Sequence, residues 1–560
     1  MKTISRLFFF LSAGLLISCT GRNSIFNNSE TSAPHLVKQG TATQLVTDGE
    51  PFLLLAGELH NSTCGGAQYM KTVWKKMSDA NLNTVIGTAS WELVEPEEGK
   101  FNFELVDSMI LGARKEGLKL VMIWFGSWKN GESTYVPSWV KLNQSRFPLA
   151  KDENGGKLNI ISTFSEEAKK ADAKAFAELM RHINQIDRGD HTVIMMQVEN
   201  EIGTLGTKRD YCDPANAAFT AQVPESLMSY LKKNRESLHP GVLEALSKQG
   251  FRENGTWEEV FGKGELASDW KGMSYLTEEL FMAWNYAGYV GEIARAGKEE
   301  YNIPMYVNAW LKQPGNSGFA PGNYPSGGPS PQVLDIWRAA APSIDFIAPD
   351  IYIVDQFRYV CDQYTLSGNP LFIPETTGDA AGATRAFYSI GKYSAIGYAP
   401  FGIDGNGFYG ADVNDLSDLK NAYSIIRQLS PMILKSQGTE NISGLLTDEN
   451  SRNDSVQIGG YTIYGTLGRR FDGKPDQGEK KAGSAMILCT GPGEFIIAGR
   501  NIFLRFGTNV PGENVSFLSL EDGKFEKDKW VTGRRLNGDE FRVFFPSDSS
   551  KIFKLSLYKY

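Results

Sequence analysis

Residues 192–203 read TVIMMQVENEIG, a mainly apolar run that ends in the polar triplet Glu199-Asn200-Glu201. A near-continuous apolar run of this length is typical of a strand buried on both faces, as in a parallel sheet. Seven similar runs occur along the chain, at 52–57, 83–87, 118–125, 304–310, 344–349, 370–375 and 395–402. The stretch therefore indicates one strand of a large parallel sheet, with charged residues at its carboxyl end.

Amphipathic stretches lie between these eight runs, and nearly every run is followed by one. The predicted helices cover 66–80, 104–116, 165–187, 224–236, 276–297, 331–341, 381–391 and 418–429. Eight strand–helix units predict an α/β fold of the (β/α)₈ type, with insertions. A doubly wound open sheet is the alternative, but it would carry a phosphate-binding glycine turn after the first strand. The sequence LAGELHNS (55–62) is not such a turn.

The length of 560 residues predicts more than one domain. Beyond residue 430, short alternating runs separated by Gly, Asn and Asp predict an all-β, sandwich-like domain. We expect a catalytic barrel at 36–429 and a β domain at 430–560. The barrel should contain an aromatic-rich insertion at about 204–275, which we expect to cover its carboxyl-terminal face.

The start of the chain resembles an export signal. Lys2 and Arg6 precede an apolar stretch, 7–17, that is too short to span a membrane. It ends in LISC (16–19), which resembles the bacterial lipobox, in which the cysteine carries lipid. This predicts a signal peptide at 1–18, followed at 19–35 by lipidated Cys19 and a flexible Ser/Asn-rich tether. The expectation is an exported outer-membrane lipoprotein whose body is soluble.

Composition argues against several other classes of protein. The formal net charge is −8 and no basic tract is present, so we expect no nucleic-acid partner. The cysteines other than Cys19 form no CxxC pair, and the five histidines show no ligand spacing. We therefore expect no metal and no cofactor. For Cys64, Cys212, Cys361 and Cys489 we expect free buried thiols, with a structural disulfide in an oxidising compartment as the alternative.

Two glutamates end predicted strands on the same face of the barrel. Glu201 follows the fourth run and Glu375 lies in the seventh, LFIPETTG. In this fold the carboxyl ends of the strands carry the chemistry. Two facing carboxyl groups are what glycosidic cleavage requires, one to protonate the leaving oxygen and one to attack the anomeric carbon. The pair predicts a carbohydrate substrate.

Three motifs resemble glycoside hydrolase family 35, the retaining β-galactosidases of clan A. They are WELVEPEEGKFNF (91–103), QVENEIG (197–203) and PLFIPETTG (370–378), and the resemblance covers about 40–425. It implies an exo-acting retaining β-galactosidase with Glu201 as acid/base, Glu375 as nucleophile and Asn200 as donor to the 2-hydroxyl of the sugar. The chain is most similar to a bacterial subgroup associated with hemicellulose side chains such as those of xyloglucan.

The chain departs from that family at several positions. Glu92-Leu93-Val94 stands where the family has Asn-Leu-His, Asn61 replaces a tyrosine, and WFGSWKNG (124–131) replaces Ala-Glu-Trp. Because these residues would line the sugar site, sugar preference stays open. The alternatives are another retaining exo-glycosidase of clan A (a mannosidase, xylosidase or glucosidase) and a non-catalytic, lipid-anchored glycan-binding protein.

Further candidates for substrate binding lie in these motifs or near predicted strand ends: His60, Trp91, Glu92, Trp124, Trp310 and Tyr352. Clan resemblance suggests that the Tyr352 hydroxyl bonds to Glu375, with plain packing as the alternative. At least one tryptophan should form an apolar platform under the sugar, although each is also suited to the core. His60 suits either a substrate contact or a buried structural role. Strand alternation places Glu199 on the same side as Glu201, and we expect a structural salt bridge there.

Overall fold

The structure is a computed structural model that describes residues 32–268, 276–312, 319–405, 415–468 and 482–560. The predicted signal peptide, Cys19 and most of the tether lie outside the described residues. Within the described part, no helix combines the length and the apolar character needed to cross a membrane.

Eight parallel strand positions close into a barrel in the described residues, which confirms the predicted fold. All eight overlap predicted runs, and several continue past them: β1 Leu54–Glu58, β2 Thr84–Ser90, β3 Lys119–Lys129, β4 Val193–Asn200, β5 Met305–Trp310, β6 Phe346–Ile351, β7 Phe372–Ile373 with Glu375–Thr376, and β8 Gly397–Tyr398. Pro374 splits β7, because proline has no N–H to donate to a ladder. The first half of β7 pairs with β8 and its second half pairs with β6. Strand β8 also pairs with β1, which closes the barrel.

Helices follow the strands around the barrel. They are α1 Trp74–Asp79, α2 Glu104–Lys115, α3 Glu166–Asp187, α4 Thr277–Glu300, α5 Leu334–Ala340, α6 Phe357–Tyr364, α7 Ala380–Tyr393 and α8 Ser417–Ser436. In α2, for example, the buried positions 106, 109, 110 and 113 form the apolar stripe of a helix packed on a sheet. Shorter helical segments lie at Thr63–Gly65, Ala67–Met70, Trp91–Val94, Ser138–Lys141, Pro331–Val333, Val354–Gln356 and Leu366–Gly368. The sequence analysis missed α6, and its predicted helix at 224–236 belongs to the insertion.

A small antiparallel sheet precedes the barrel, within the segment that we had assigned to the barrel itself. Its strands are His35–Gln39, Ala42–Thr47 and Glu50–Phe52. Leu45 packs in one buried cluster with inward-facing residues of the barrel, among them Leu54, Ile194 and Phe346. This end of the barrel is therefore filled by apolar side chains, and the polar residues gather at the other end.

The insertion after β4 contains Asp213–Phe219, Glu225–Lys233, Arg235–Ser237, Pro240–Lys248 and Trp257–Phe261. Its helix Glu225–Lys233 packs against α5, and Trp257–Phe261 packs against α4. None of the described residues at 204–268 lines the main cavity. The described part of the insertion therefore does not form the wall of the main cavity, and only Leu205 of these described residues lines the adjoining groove. A hairpin, Leu149–Lys151 with Lys157–Ile161, extends the connection after β3.

The last barrel helix, α8, continues through Pro431 to Ser436, beyond the predicted boundary at 429/430. The β domain begins at Ile442 and forms two antiparallel sheets, which confirms the sandwich-like prediction. One sheet contains Ile442–Thr447, Gly483–Gly491, Glu494–Arg500, Lys551–Lys559, Val515–Glu526 and Lys529–Arg535, in that order. The other contains Asn453–Ile458, Tyr461–Leu467, Ile502–Gly507 and Val543–Phe545, and a short helical turn lies at Gly538–Glu540.

The β domain packs on the barrel through α7 and α8. Strands Ile442–Thr447 and Gly483–Gly491 contact α7, and Ser484 Oγ donates to the carbonyl oxygen of Thr384 at 2.7 Å. Arg500 pairs with Asp418 at the start of α8 at 2.6 Å, with the arginine side chain nearly buried. The domain therefore supports the outer helices of the barrel and leaves the strand ends free for a site.

Candidate active site

A cavity of about 690 Å³ opens at the carboxyl ends of the barrel strands. This is the face on which barrels of this fold carry their chemistry. Its described lining comprises His60, Asn61, Lys129, Asn130, Glu201, Trp310, Leu311, Asp350, Tyr352, Glu375, Thr376, Thr377, Gly378, Asp379, Phe401, Gly402 and Asp415. A side groove of about 420 Å³ shares Asn61, Lys129, Asn130 and Trp310 with it and continues past Tyr135 and Leu205.

Glu201 comes directly after β4 and faces the cavity with 8% of its surface exposed. Its φ of +45° lies in the left-handed region, which non-glycine residues adopt only when their surroundings hold them there. The Glu201 N–H donates to Asn308 Oδ1 at 2.9 Å, which provides such a restraint. Burial, and then the charge of Glu375, raise the pKa of Glu201 to about 7. This side chain can therefore hold a proton near neutral pH and also release it.

Glu375 opens the second half of β7, next to Pro374, and accepts three hydrogen bonds. Tyr352 donates to Oε2 at 2.7 Å, while Asn308 and Asn200 donate to Oε1 at 3.2 and 3.3 Å. Burial, and then the charge of Glu375, raise the pKa of Tyr352 well above its usual value, so its hydroxyl keeps its proton. Three donors suit a carboxylate, which only accepts hydrogen bonds.

The two glutamates lie close together across the cavity. One carboxylate oxygen each from Glu201, Glu375 and Asp350 lie within 4.8 Å of one another. The pairing of Glu201 with Glu375 was predicted from sequence, whereas Asp350 was not.

Four residues of the site were missed. Glu58 ends β1, Asp350 is the penultimate residue of β6, and Lys129 and Asn308 lie on β3 and β5. Lys129 Nζ donates to Asn200 Oδ1 at 2.8 Å, and Asn308 Nδ2 donates to Asp350 Oδ2 at 2.8 Å. Their position at strand ends was the signal that could have identified them.

Glu58 lies beneath the cavity and is almost fully buried. Burial, and then the charge of Glu375, raise the pKa of Glu58 well above its usual value. Its Oε2 has no hydrogen-bond partner in the described residues. Lys129 is the one lysine or arginine among the described residues that line the cavity, so it faces several carboxyl groups.

Of the three candidate tryptophans, the structure places only Trp310 at the cavity, at the end of β5. Trp91 is fully buried, donates to Glu95 Oε2 at 2.8 Å and packs edge-on against Trp139. Trp124 is also fully buried, and its ring packs near Phe176 of α3 because it points outward from β3. The expectation that Trp91 and Trp124 contact substrate is therefore wrong.

Glu92 does not line the cavity either. It lies on the short helix Trp91–Val94, half-exposed, with Lys141 Nζ 3.4 Å from its Oε2. His60 does line the cavity, and its Nδ1 lies 2.6 Å from Asp404 Oδ1. Its ring packs edge-on against Phe401. His60 therefore has a fixed ring at the cavity wall, and a contact with substrate stays a prediction.

Glu199 differs from the expectation in its partner and in its direction. Its φ of +63° and that of Glu201 break strand alternation, so the two side chains point to different places. The Glu199 carboxyl accepts the N–H groups of Ser127 and Trp128 at 2.9 and 2.7 Å, and it lies beside Asp172. Burial, and then the charge of Asp172, raise the pKa of Glu199 well above its usual value. A second carboxyl group stands where a salt-bridge partner was expected, and Glu199 holds the end of β3 through the N–H groups of Ser127 and Trp128.

The cysteines of the described residues are free thiols. Cys64, Cys212 and Cys361 are buried and Cys489 is partly buried. This confirms the expectation of free thiols.

Comparisons with known proteins point to β-galactosidases. A family model of glycoside hydrolase family 42, described as beta-galactosidase, matches residues 65–243, and a model described as a domain of unknown function matches 419–545. The first range contains Glu201 and ends before Glu375. The family named is 42, whereas the motifs resemble family 35.

Two relatives described as beta-galactosidases match parts of the chain. The beta-galactosidase of Xanthomonas manihotis is 26% identical over 221 residues, which are 38% of this chain and 34% of that protein. Beta-galactosidase BgaA of Thermus sp is 29% identical over 161 residues, 27% of this chain and 23% of that protein. The chain thus spans about a third or less of the length of these relatives. The solved beta-galactosidase of Bacillus circulans sp. alkalophilus aligns with 90% of this chain and 99% of its own, at 12% identity and a TM-score of 0.48.

Proposed function

We propose that this chain is a retaining glycoside hydrolase, a β-galactosidase, with Glu201 as acid/base and Glu375 as nucleophile. The observation that carries the proposal is the pair of glutamates on β4 and β7, which meet across one cavity at the reactive end of the barrel. The match of residues 65–243 to a beta-galactosidase family model supports the choice of sugar.

The separation of the two carboxyl groups supports retention of configuration. Retaining glycosidases hold them about 5–5.5 Å apart, and inverting enzymes about 6.5–9.5 Å apart to leave room for a water. In this chain their nearest oxygens lie within 4.8 Å. The nucleophile can therefore reach the anomeric carbon directly.

The surroundings of each glutamate suit its proposed step. Protonated Glu201 gives its proton to the leaving oxygen, the glycosidic bond breaks and the leaving group departs as an alcohol, while Glu375, held by three donors, forms a bond to the anomeric carbon. Glu201 then takes a proton from water, the water oxygen bonds to the anomeric carbon, and the Glu375 ester bond breaks. Each residue ends the cycle as it began.

Specificity rests on finer features. The amide of Asn200 bonds to Glu375 and Lys129, and its contact with a 2-hydroxyl of the sugar stays a prediction from the family resemblance. Trp310 and Phe401 supply apolar cavity wall. The proposal also includes three finer statements. The chain is of the family-35 type that its motifs resemble, it acts from the end of a glycan on terminal galactose, and its substrates are hemicellulose side chains such as those of xyloglucan. An outer-membrane lipoprotein held through Cys19, which the LISC motif supports, is part of the proposal as well.

Rescue by azide separates the two roles. With an aryl β-galactoside that has a good leaving group, Glu201→Ala still forms the glycosyl-enzyme but lacks the base for water. Azide needs no base, so it should restore turnover and give the β-azide, because two inversions retain configuration. Glu375→Ala lacks the nucleophile, so any rescue should give the α-azide.

The anomeric configuration of each azide product, read by NMR, decides the assignment. Reversed configurations would mean that the roles are exchanged. If each substitution reduces hydrolysis less than about 10²-fold, the lower end of what a positioned proton donor contributes, the pair is not the catalytic centre. A panel of aryl β-glycosides run with the wild type distinguishes galactose from mannose, xylose and glucose. Binding without hydrolysis would instead indicate a glycan-binding protein.

A further inference from the structure

One carboxyl oxygen of Asp350 is buried without a hydrogen-bond donor among the described residues. Asp350 is the penultimate residue of β6, lies beside Glu375 in the strand register and is only 2% exposed. Its Oδ2 accepts from Asn308 Nδ2 at 2.8 Å. Its Oδ1 is buried and receives a hydrogen bond from no N–H or hydroxyl group of the described residues. A buried acceptor without a donor costs about 1–3 kcal/mol, so this edge of the carboxyl needs a partner.

The partner available is the carboxyl group of Glu201. The nearest oxygens of the two side chains lie within 4.8 Å. Asn308 restrains both residues, because its Nδ2 donates to Asp350 and its Oδ1 accepts the N–H of Glu201 at 2.9 Å. Two ionised carboxylates at this distance repel each other, whereas one proton between them removes the repulsion.

The charges around Asp350 indicate which group carries the proton. The titratable groups that face it or line the same cavity are Glu58 on β1, His60, Lys129 on β3, Glu201, Tyr306 on β5, Tyr352, Tyr364 on α6, Glu375 on β7, Asp379 and Asp415. Lys129 can balance one carboxylate, and Glu375 with its three donors is the group best suited to be ionised. Asp350 has no such set of donors, so a proton on it satisfies its free oxygen.

We propose that Asp350 is a positioning residue that keeps its proton and donates a hydrogen bond from it to Glu201. The inference rests on the proposed function in that Glu201 is the acid/base. When Glu201 gives its proton to the leaving oxygen, the new carboxylate accepts the Asp350 O–H. When Glu201 takes a proton from water, it no longer needs that bond. Asp350 neither gains nor loses a proton over the cycle.

The electrostatics of the pair agree with this geometry. Burial raises the pKa of Asp350 well above its usual value, and the charges of Glu375, Glu201 and Glu58 raise it further. For Glu201, burial and Glu375 raise the pKa, and the hydrogen bond with Asp350 lowers it. Asp350 therefore makes Glu201 a stronger acid than its burial alone would allow.

Two substitutions distinguish a proton donor from a charge. In Asp350→Asn, the amide oxygen can accept from Asn308 and the NH₂ group can donate to Glu201, so the hydrogen bond survives without a titratable group. In Asp350→Ala, the donor is lost. A hydrogen bond to a charged group is worth about 1.5–3 kcal/mol, or about one to two pH units. The high-pH limb of kcat/KM reports the ionisation of Glu201 in the free enzyme.

We expect Asp350→Ala to move this limb upward by about one to two pH units and Asp350→Asn to leave it within about half a unit. Asp335→Asn is the matched control, since Asp335 is a buried aspartate outside the cavity that accepts the N–H of His239. It should not move the limb. A downward shift by a unit in Asp350→Asn would show that Asp350 is ionised. A loss of rate in both variants with unchanged limbs would show a merely structural role, and either result overturns the proposal.

A second readout needs no turnover. The protein is labelled with ¹³C at its glutamate carboxyl carbons, and the Glu201 signal is assigned by its absence in Glu201→Gln. Its titration midpoint should rise in Asp350→Ala and stay in place in Asp350→Asn. If the wild type hydrolyses no aryl β-glycoside yet these midpoints behave as stated, the proposed function is wrong. The hydrogen bond from Asp350 to Glu201 is then still supported. If the midpoint of Glu201 is the same in all three proteins, the pair itself fails.

Discussion

Replacing Glu201 by glutamine should stabilise the protein, and by an amount that depends on pH. Glutamine is neutral and nearly isosteric with protonated glutamate, so it fits the buried site at every pH. The wild-type side chain has an ordinary pKa of 4.5 and a folded-state pKa of about 7. The folded protein therefore binds more protons than the unfolded chain between these values, and its stability falls as pH rises through that window. Below the window Glu201 is protonated in both states and the penalty is absent.

The size of the effect follows from the shift in pKa. Each unit corresponds to about 1.36 kcal/mol, so the full penalty for Glu201 is about 3 kcal/mol above pH 7. Near pH 5 less than about 1 kcal/mol of it is present. The advantage of Glu201→Gln over wild type should therefore grow by about 2.5 kcal/mol between pH 5 and pH 8. A stabilising change at a catalytic position is the expected sign of a site held under electrostatic strain.

Urea unfolding of both proteins at a series of pH values, at constant ionic strength, measures this difference. Glu440→Gln is the control, because Glu440 is exposed and its replacement should make no difference at any pH. Where unfolding is irreversible, the difference in thermal midpoint between variant and wild type serves the same purpose. If the advantage of Glu201→Gln stays within about 0.5 kcal/mol across the range, the burial and charge argument for Glu201 is wrong.

Two further predictions concern the nucleophile and the start of the chain. Tyr352→Phe removes the 2.7 Å hydrogen bond to Glu375, which is worth about 1.5–3 kcal/mol. Its loss should lower kcat about 10- to 150-fold with little change in KM. Steady-state kinetics on an aryl β-galactoside measure both. A drop smaller than about threefold would contradict a role in stabilising that carboxylate. Cys19→Ala should abolish labelling by palmitate and release the protein from the membrane fraction, whereas a variant that stays membrane-bound, with a wild type that never takes up label, would refute the lipid anchor.

The barrel could be predicted from sequence because strands buried on both faces leave near-continuous apolar runs. All eight strand positions overlap such runs, and even the split in β7 follows from Pro374. The helix α6 was missed because FRYVCDQY (357–364) buries only Phe357, Val360, Cys361 and Tyr364, a stripe too short to stand out. The sheet at 35–52 was missed because its strands are short and mostly polar.

From sequence, the site could be predicted only where the order of the strands determines which residues come together. Glu201 and Glu375 follow from the rule that strand carboxyl ends carry chemistry, since that rule needs no knowledge of side-chain direction. Trp124 was assigned wrongly because an inward and an outward residue on a strand look alike until the register is known. Glu199 was assigned wrongly because alternation fails at the two left-handed residues that flank Asn200.

The site residues that were missed from sequence are those whose role is recognisable only when they are seen next to one another. A polar residue at the end of a strand is common, so Glu58, Lys129, Asn308 and Asp350 carry little information one at a time. Closure of the barrel places all four in or beneath one cavity with the two predicted glutamates, where the low dielectric makes their charges interact. There each group limits the protonation of the others. The acidity of Glu201 is therefore a property of the whole ring of strand ends, and substitutions at its members should not be additive in their effect on the pH dependence of the enzyme.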